Sequence, residues 1–407
     1  MRSNPSTLFE PMELEMKKSN KQLLSTSIFS SLLVISAHGY AEQKASHTVL
    51  PAVAHLEGVG NIGAVGVQSK NLGEDDFSLL AMMATDDTQG GLLSINELPW
   101  ASGKLSFTTA FVNDITLDTQ YGRGTNLGEE YQQQLSGLAQ FARFDSEINA
   151  QQSWYTNLGV SLVSFEGYHD RAGNEITINQ AGLHDVFSTM ATLGMKHNDE
   201  PSDASTAHLK AGIELTALLF RPGQSEQAQL NYNSSYQFPL TDGLAINGYI
   251  RGSHGFVLAK KSEYDEVSEV LAELDGQCSS AACSQLENDL ANYIVAGNKN
   301  GNAQALGGAY GLRSYSEQYI KGAHTLLEGL ELTMALPFAV GEGNNIELVA
   351  FAEAGQAGDS LSELTDDSLY SVGGGARFNI KDLPIRLEAA VGSDDTEAWL
   401  LTAGKRW

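Results

Sequence analysis

Segments in which apolar and polar residues alternate strictly are the feature that most constrains the fold of this chain. In the segment His208–Leu219 the odd positions are all apolar, whereas the even positions include Lys210 and Glu214. Residues 330–338 and 346–355 alternate in the same way. Because a period of two places successive side chains on opposite faces, each segment is predicted to be a β-strand with one apolar and one polar face.

These strands suit a transmembrane barrel better than a soluble sandwich or a solenoid. The segments are about ten residues long, which is the length that a tilted strand needs to cross a bilayer. From residue 47 onward they are separated by Gly, Asn and Asp turns, with no helices to cover so many apolar faces. No repeat of fixed length supports a solenoid. We therefore predict an all-β, antiparallel transmembrane barrel over residues 47–407.

The N-terminal residues predict export. A basic segment at residues 16–21 precedes an apolar segment at residues 23–37, and Gly39 and Ala41 then provide a cleavage site for a signal peptidase. The apolar segment is shorter than the roughly 20 residues of a transmembrane helix. We predict a cleaved signal peptide at residues 16–41, with residues 1–15 belonging to a mis-assigned start upstream of Met16.

The charge of the chain argues against a nucleic-acid partner. Aspartate and glutamate outnumber lysine and arginine by 50 to 24, which gives a net charge of −26. Neutralising phosphates requires basic residues, and the same acidity opposes adsorption to anionic lipid. The sequence lacks a Gly-x-Ser-x-Gly nucleophile motif. We expect a protein that is not an enzyme and has no cofactor.

The two cysteines of the chain, Cys278 and Cys283, lie close together in sequence. In an exported protein such a pair predicts a local disulfide. The alternative, a metal site, would need two further ligands, and no histidine nearby has suitable spacing. A disulfide across so short a loop constrains little of the unfolded chain, so it is expected to fix a local structure.

Residues 262–300 interrupt the strand pattern. Apolar residues recur at helical intervals in residues 262–274 and again in residues 285–294. Both cysteines lie between these two stretches. The segment is therefore predicted to be a small acidic helical hairpin within a long extracellular loop.

Short motifs follow one another in the C-terminal third. Residues 311–315 read Gly-Leu-Arg-Ser-Tyr, residues 351–355 read Phe-Ala-Glu-Ala-Gly, and the chain ends in Gly404-Lys-Arg-Trp407. They resemble, in order, the Val-Arg-Gly-Phe/Tyr motif of the sixth extracellular loop, the Phe-x-Asp-x-Gly motif of a later strand and the terminus of BamA/TamA-like proteins, the bacterial surface-antigen superfamily. The resemblance extends over residues 307–407 and, more faintly, residues 48–68.

This resemblance implies a barrel of sixteen strands, eleven before the sixth loop and five after it. The last strand would close the barrel against the first, with Gly404 and Trp407 as the closing signal. A terminal aromatic residue of this kind can lie in the interfacial girdle of an outer-membrane barrel.

The resemblance also implies a latch in the lumen. In the family, the loop arginine lies inside the barrel and pairs with acids from the following strands, which corresponds here to Arg313 with Glu331 and Glu353. The alternation independently places both glutamates on the polar face. Alternatively, charges in a polar lumen pair without a specific role. An extension of the latch is predicted at three further residues: Arg377, Arg386 and Glu388.

The sequence departs from the family at two points. Ser314 replaces the glycine of the loop motif, which would strain a backbone that requires positive φ. Family members that insert or secrete proteins carry polypeptide-transport-associated (POTRA) domains before the barrel. Here the first strand is expected within a few residues of the cleavage site, so we expect a member without these domains.

Four acidic clusters are predicted to lie in loops and turns. They are either solvated or bridge divalent cations at a lipopolysaccharide surface, since carboxylate oxygens are ligands of such cations. The clusters are residues 74–76, 86–87, 366–367 and 394–395.

The function implied by the resemblance is protein insertion, translocation or assembly at the outer membrane of a Gram-negative bacterium. Lateral opening between the first and last strands would thin the bilayer, without any catalytic residue. The expected partners are outer-membrane lipid, lipopolysaccharide and a separate periplasmic protein. Two alternatives remain open: a passive pore or structural barrel, and a surface protein that binds a partner through the acidic hairpin.

Overall fold

The computed structural model describes residues 46–403 with gaps, and in residues 46–84 it describes the backbone alone. The predicted signal peptide at 16–41, the start at 1–15, Gly404 and Trp407 lie outside the described residues. The gaps are residues 57–59, 73–74, 85–88, 125–129, 171, 177–185, 200–206, 220–224, 261–263, 275–277, 279, 309–310, 317–318, 337–343, 366–367 and 381–382.

Most of the described chain forms one antiparallel sheet. The strands in chain order are β1 (Ser46–Leu56), β2 (Gly60–Leu72), β3 (Asp75–Ala84), β4 (Gln89–Trp100), β5 (Gly103–Gln120), β6 (Glu130–Asn149), β7 (Gln152–His169), β8 (Glu175–Ile176), β9 (Val186–Asn198), β10 (His208–Leu219), β11 (Glu226–Thr241), β12 (Leu244–Ala259), β13 (Gln304–Ala305), β14 (Lys321–Gly322), β15 (His324–Ala335), β16 (Asn344–Gly358), β17 (Leu369–Ile380), β18 (Leu383–Gly392) and β19 (Glu397–Ala403).

The sheet has 17 strands within the described residues, and β13 and β14 form a separate two-stranded sheet. Each long strand pairs with the next long strand along the chain, so β1 and β19 end the series. The two-residue strand β8 adds to the end of β7. The predicted all-β, antiparallel class is confirmed, whereas sixteen strands and closure into a barrel stay predictions.

The two ends of the sheet differ in their connections. Tight turns join β4 to β5, β6 to β7 and β11 to β12 at one end. In the last of these turns Gly243 has a φ of 88°, which glycine adopts without steric cost. At the other end, a long connection between β12 and β15 contains the two helices and Arg313. Arg313 therefore lies on this connection, whereas the glutamates predicted to pair with it lie on β15 and β16.

The apolar side chains lie on the exposed face of the sheet. On β15, Leu330 and Leu332 are 61% and 43% exposed, whereas Glu331 and Thr333 are 1% and 9% exposed. We call the face that bears Glu331 the inner face and the opposite one the outer face. A soluble sandwich has the reverse arrangement, with its apolar face buried. The sandwich alternative therefore does not describe this sheet.

Two helices occupy the predicted insertion: α1 (Val267–Leu274) and α2 (Ala281–Asn300). The side chain of Ser280 accepts a hydrogen bond from the backbone N–H of Cys283, which caps the start of α2. At the other end Gly301, with a φ of 102°, follows the last turn. Helix α2 is longer than the predicted helical stretch at residues 285–294.

No helix in the described part of the chain is both long and apolar enough to span a membrane.

Candidate functional site

The segment that carries Arg313 folds back on itself against the inner face. The N–H of Leu312 donates to the carbonyl of Leu306 at 2.7 Å, and that of Gly308 donates to the carbonyl of Tyr315 at 2.8 Å. A Cβ atom on Gly311 would overlap backbone oxygens of Leu306 and Gly307. Only glycine permits this close approach, which holds the segment compact immediately before Arg313.

Arg313 is fully buried and contacts carboxylates from three strands. Its Nη2 lies 3.0 Å from Glu331 Oε2 on β15, and its Nε donates to Glu353 Oε1 on β16 at 3.0 Å. Its Nη1 lies 3.1 Å from Glu388 Oε2 on β18. The backbone N–H of Arg313 also donates to Glu353 Oε2, at 3.2 Å. The three strands thus converge on one guanidinium group.

A second arginine shares two of these carboxylates. Nη2 of Arg377 on β17 lies 2.7 Å from Glu331 Oε2 and 3.2 Å from Glu388 Oε1. Arg386, which is 2% exposed, is the register partner of Arg377 on β18. The arginine cluster, which we define as Arg313, Arg377, Glu331, Glu353 and Glu388, therefore connects four consecutive strands to the loop.

Two aromatic residues complete the surroundings of Arg313. Its Cζ lies 3.2 Å from the centroid of the Phe351 ring, a cation–π contact. The hydroxyl of Tyr249 donates to Glu353, and Arg313 Nη2 donates to that hydroxyl at 3.4 Å. Burial by itself would lower the pKa of Arg313, but Glu353, Glu331 and Glu388 outweigh it and hold the pKa above its ordinary value. The guanidinium is therefore fully charged.

Ser314 fits the loop without backbone strain. Ser314 is not among the described residues that have positive φ. Its N–H donates to Ser371 Oγ at 3.1 Å. Its own hydroxyl occupies the space where a Cβ on Gly392 would lie. The strain expected from the missing glycine is absent because Ser314 does not have a positive φ.

The helical insertion packs over the loop end of β5, β6 and β7. We call helices α1 and α2 with residues 264–302 the cap. Its buried side chains, including Leu286 and Leu290, form one apolar cluster with Tyr121, Tyr131 and Tyr168. Tyr131 also donates a hydrogen bond to Asp289 on α2, at 2.8 Å. This packing was not predicted, because the tyrosines and the helices are far apart in sequence.

Polar contacts anchor the far end of the cap. The buried side chain of Asn298 contacts Ser225 in the loop between β10 and β11, and it donates to the carbonyl of Tyr264 at 3.1 Å. Gln227 Nε2 donates to the carbonyl of Gly297 at 3.1 Å. The cap is therefore held from two sides of the sheet.

Cys278 and Cys283 form a disulfide with a sequence separation of 5. Cys283 is 3% exposed and belongs to the apolar cluster of the cap. The bridge therefore joins the turn before α2, which holds Cys278, to the first turn of α2, which holds Cys283.

Most residues of the four acidic clusters lie outside the described residues or have a described backbone only. Residues 74, 86–87 and 366–367 lie outside the described residues, and Asp75 and Asp76 have a described backbone only. Asp395 lies in the short 3-10 helix Ser393–Asp395 with a φ of 54°. The proposed bridging of divalent cations stays a prediction.

Comparison with known proteins identifies related folds. No protein-family model matches the chain, and no curated protein matches it. CdiB from Escherichia coli aligns with a TM-score of 0.55 at 14% identity, over 90% of this chain and 62% of that chain. BamA from Haemophilus ducreyi lacking POTRA domains 1–3 aligns with a TM-score of 0.54 at 12% identity, over 93% and 77% of the two chains. The chain has a BamA-like fold.

A further structure, CdiB from Acinetobacter baumannii, aligns with a TM-score of 0.50 at 12% identity, over 88% of this chain and 64% of that chain. The chain thus spans less than two thirds of either CdiB chain. The resemblance to BamA/TamA-like proteins predicted from short motifs is confirmed at the level of the fold.

Proposed function

We propose that this protein is an outer-membrane barrel of the BamA type that inserts or translocates other proteins. The outer face supports a location in the outer membrane. Exposed leucine side chains such as Leu330 and Leu401 are stable in contact with lipid, whereas their contact with water is unfavourable. The sheet closes into a barrel when β1 pairs with β19, which satisfies the backbone groups of both edge strands. The inner face then lines the lumen.

The arginine cluster is the observation that carries the functional proposal. It connects the loop to β15, β16, β17 and β18, which lead directly to β19 at the edge of the sheet. A change in the position of the loop is therefore transmitted to the strands beside the proposed closure. Opening between β1 and β19 would give client proteins a lateral path into the bilayer without any covalent chemistry.

The proposed partners follow from this mechanism. Outer-membrane lipid and lipopolysaccharide surround the barrel. A separate periplasmic protein gathers the clients, and the client is an unfolded polypeptide.

The function is tested by reconstituting the mature protein into liposomes with an unfolded outer-membrane barrel protein as client. Folding of the client is measured by its resistance to protease. We expect the protein to accelerate client folding, and Arg313→Ala to remove most of the acceleration. Lys104→Gln is the matched control, because the ion pair of Lys104 with Glu97 is exposed and lies outside the cluster.

A passive pore is the second candidate. The inner face supports it with a cavity of about 890 Å³ among polar side chains. The cap opposes it, since it packs over the loop end of β5, β6 and β7. Steady conductance of the wild type in planar bilayers, together with no effect on client folding, would assign the pore and reject the insertion function.

A further inference from the structure

Two histidines on different strands meet at the loop end of the sheet. His254 on β12 is the register partner of His324, which is the first residue of β15. Their Nδ1 atoms lie 3.3 Å apart, although the two residues are separated by 70 positions in the chain. No sequence motif connects them, so it is the register of β12 with β15 that brings the two imidazoles together.

The histidine pair lies on the outer face and is partly enclosed by aromatic rings. His324 shares that face with Leu330, because an even number of positions separates the two residues along β15. His324 is 8% exposed, and the centroid of its ring lies 6.2 Å from that of Phe256. The ring of Tyr232 on β11 lies 5.5 Å from that of His254. The enclosure restricts both imidazoles, which reduces the entropy that they lose on binding a common ligand.

The separation of the two nitrogens fits a shared metal ion. Zn²⁺ binds imidazole nitrogens at about 2.0–2.1 Å in tetrahedral geometry. Two ligand atoms of such an ion are therefore roughly 3.3–3.4 Å apart. The 3.3 Å between the two Nδ1 atoms agrees with this value. Without an ion, one imidazole donates and the other accepts, so the pair satisfies itself with a single hydrogen bond.

A carboxylate lies beside the histidine pair. Gly358, the last residue of β16, is the register partner of His324 on the side away from His254. A Cβ atom on Gly358 would lie 2.7 Å from Oε2 of Glu363, so the Glu363 side chain occupies the place next to His324 on the outer face. The ligand atoms of Glu363 and the two imidazoles are not all within 4.8 Å of one another. Glu363 is therefore placed to bind a water on the ion and not the ion itself.

Glu363 is held in this position by its own turn. The backbone N–H of Asp359 donates to Oε2 of Glu363 at 2.8 Å, and the hydroxyl of Ser360 donates to Oε1 at 2.8 Å. A carboxylate has about four lone-pair positions, so these two contacts leave it able to accept a further hydrogen bond. Its negative charge also favours a cation nearby.

We propose that His254 and His324 bind a divalent transition-metal ion of the zinc type. Water occupies the remaining positions, and Glu363 accepts a hydrogen bond from one of these waters. Imidazole nitrogens suit Zn²⁺ and its transition-metal neighbours, whereas Mg²⁺ and Ca²⁺ prefer oxygen ligands. The bound ion joins β12, β15 and the turn after β16 at the loop end of the sheet.

Titration of the mature protein with Co²⁺ tests the proposal, because the visible absorption of Co²⁺ reports its coordination. The protein carries no histidine tag, is folded in neutral detergent and is kept in excess Mg²⁺, which occupies carboxylate sites on this acidic chain. We expect a saturable band of four-coordinate Co²⁺ that one equivalent of Zn²⁺ removes.

Variants separate the direct ligands from the carboxylate. His254→Gln and His324→Gln should each abolish the Co²⁺ band and weaken Zn²⁺ binding by roughly 100-fold or more, since even partners outside the ligand shell contribute about 10–100-fold. Glu363→Gln should weaken Zn²⁺ binding about tenfold and keep the band. The control His208→Gln removes a histidine at the start of β10 and should change neither measurement.

A measurement on the wild type does not depend on the folding of any variant. Acylation of histidines by diethyl pyrocarbonate, read by mass spectrometry, should be slowed by Zn²⁺ at His254 and unchanged at His208. The absence of saturable Co²⁺ binding in excess Mg²⁺, or equal weakening by His208→Gln and His254→Gln, would overturn the proposal and leave the pair as a hydrogen bond between imidazoles. The assays require no insertion activity, so their result is independent of the proposed function.

Discussion

Arg123 and Asp359 lie 236 positions apart in the chain and form an ion pair, with 2.7 Å between Nη2 and Oδ1. Arg123 follows β5, and Asp359 follows β16. Nη2 of Arg123 also donates to the carbonyl of Gly301 at the end of α2, at 2.8 Å. One side chain thus joins the cap to loops from two distant parts of the sheet.

Arg123→Ala is expected to loosen the cap without unfolding the sheet. The variant loses two charge-assisted hydrogen bonds, each contributing roughly 1.5–3 kcal/mol, and Asp359 keeps its contacts with Asn300 and Ala323. Hydrogen exchange should become faster in α2 and stay slow in β15 and β16. Lys104→Ala is the control, because its exposed ion pair contributes little stability. Unchanged exchange in α2 would show that apolar packing alone holds the cap.

Arg313→Ala should release the loop from the inner face. Removing one partner of a buried ion pair costs about 3–5 kcal/mol, because the remaining charge stays buried. In this variant Glu331 and Glu388 keep their ion pairs with Arg377, whereas Glu353 loses its ion pair with Arg313. Cleavage by protease should therefore increase at residues 303–322 while the strands stay protected.

Glu331 and Glu388 also pair with Arg377, whereas Glu353 pairs with Arg313. This difference allows a matched rescue experiment. Glu353→Gln should restore much of the protease resistance of Arg313→Ala, because no unpaired carboxylate then remains at that position. Glu331→Gln in the same background should not, since it removes a partner of Arg377. Equal rescue by both substitutions would contradict the distinct role assigned to Glu353.

Reduction of the disulfide should affect the cap alone. Closing a loop of this length stabilises a protein by about 2 kcal/mol in the chain-entropy account. Its two cysteines are separated by 5 positions; Cys278 precedes α2 and Cys283 lies in the first turn of α2. With dithiothreitol, protease cleavage at residues 267–290 should accelerate, while circular dichroism of the strands is unchanged. Loss of strand signal would show that the bridge supports the whole fold.

Lys321 should make loop closure depend on pH. Burial lowers the pKa of Lys321 to about 8 from the ordinary value of 10.5. Between these values the opened loop binds a proton that the closed loop lacks, so closure becomes more favourable as pH rises from 8 towards 10.5. The gain is at most about 3 kcal/mol, and it is absent below pH 8.

A fluorophore attached through Ser316→Cys measures this effect. Acrylamide should quench it less at pH 10 than at pH 7.5 if the closed loop excludes the quencher better. Lys321→Met should abolish the difference, because the titrating group is gone. A pH dependence that survives Lys321→Met would assign it to another group.

The mature protein should be heat-modifiable on gels. A closed barrel satisfies its backbone hydrogen bonds internally and resists detergent until it is boiled. The unheated sample should therefore migrate differently from the boiled one. Equal mobility of the two samples would contradict closure between β1 and β19. Deletion of Trp407 should reduce the folded fraction, if the terminal aromatic residue assists closure.

The alternation of side chains allowed the strands to be predicted from sequence. In β15 the exposure of Leu330 and the burial of Glu331 follow from a period of two, which any strand imposes on its own residues. Apolar residues at helical intervals identified the helices, although α2 begins before and ends after the predicted stretch. Which face is exposed was inferred from segment length and the lack of covering helices.

The arrangement of the site required the tertiary structure. Arg313, Glu331 and Glu353 were suggested by motifs within one stretch of sequence, but the equal proximity of Glu388 depends on the register of β17 with β18. The alignment of Lys196 on β9 with Arg251 on β12 likewise depends on the pairing of four strands, and a shift of one residue would move each side chain to the other face. Local alternation is set by backbone geometry within a few residues, so the sequence by itself determined it. Contacts such as Arg123 with Asp359 join residues 236 positions apart, and only the folded sheet decides which distant charges meet.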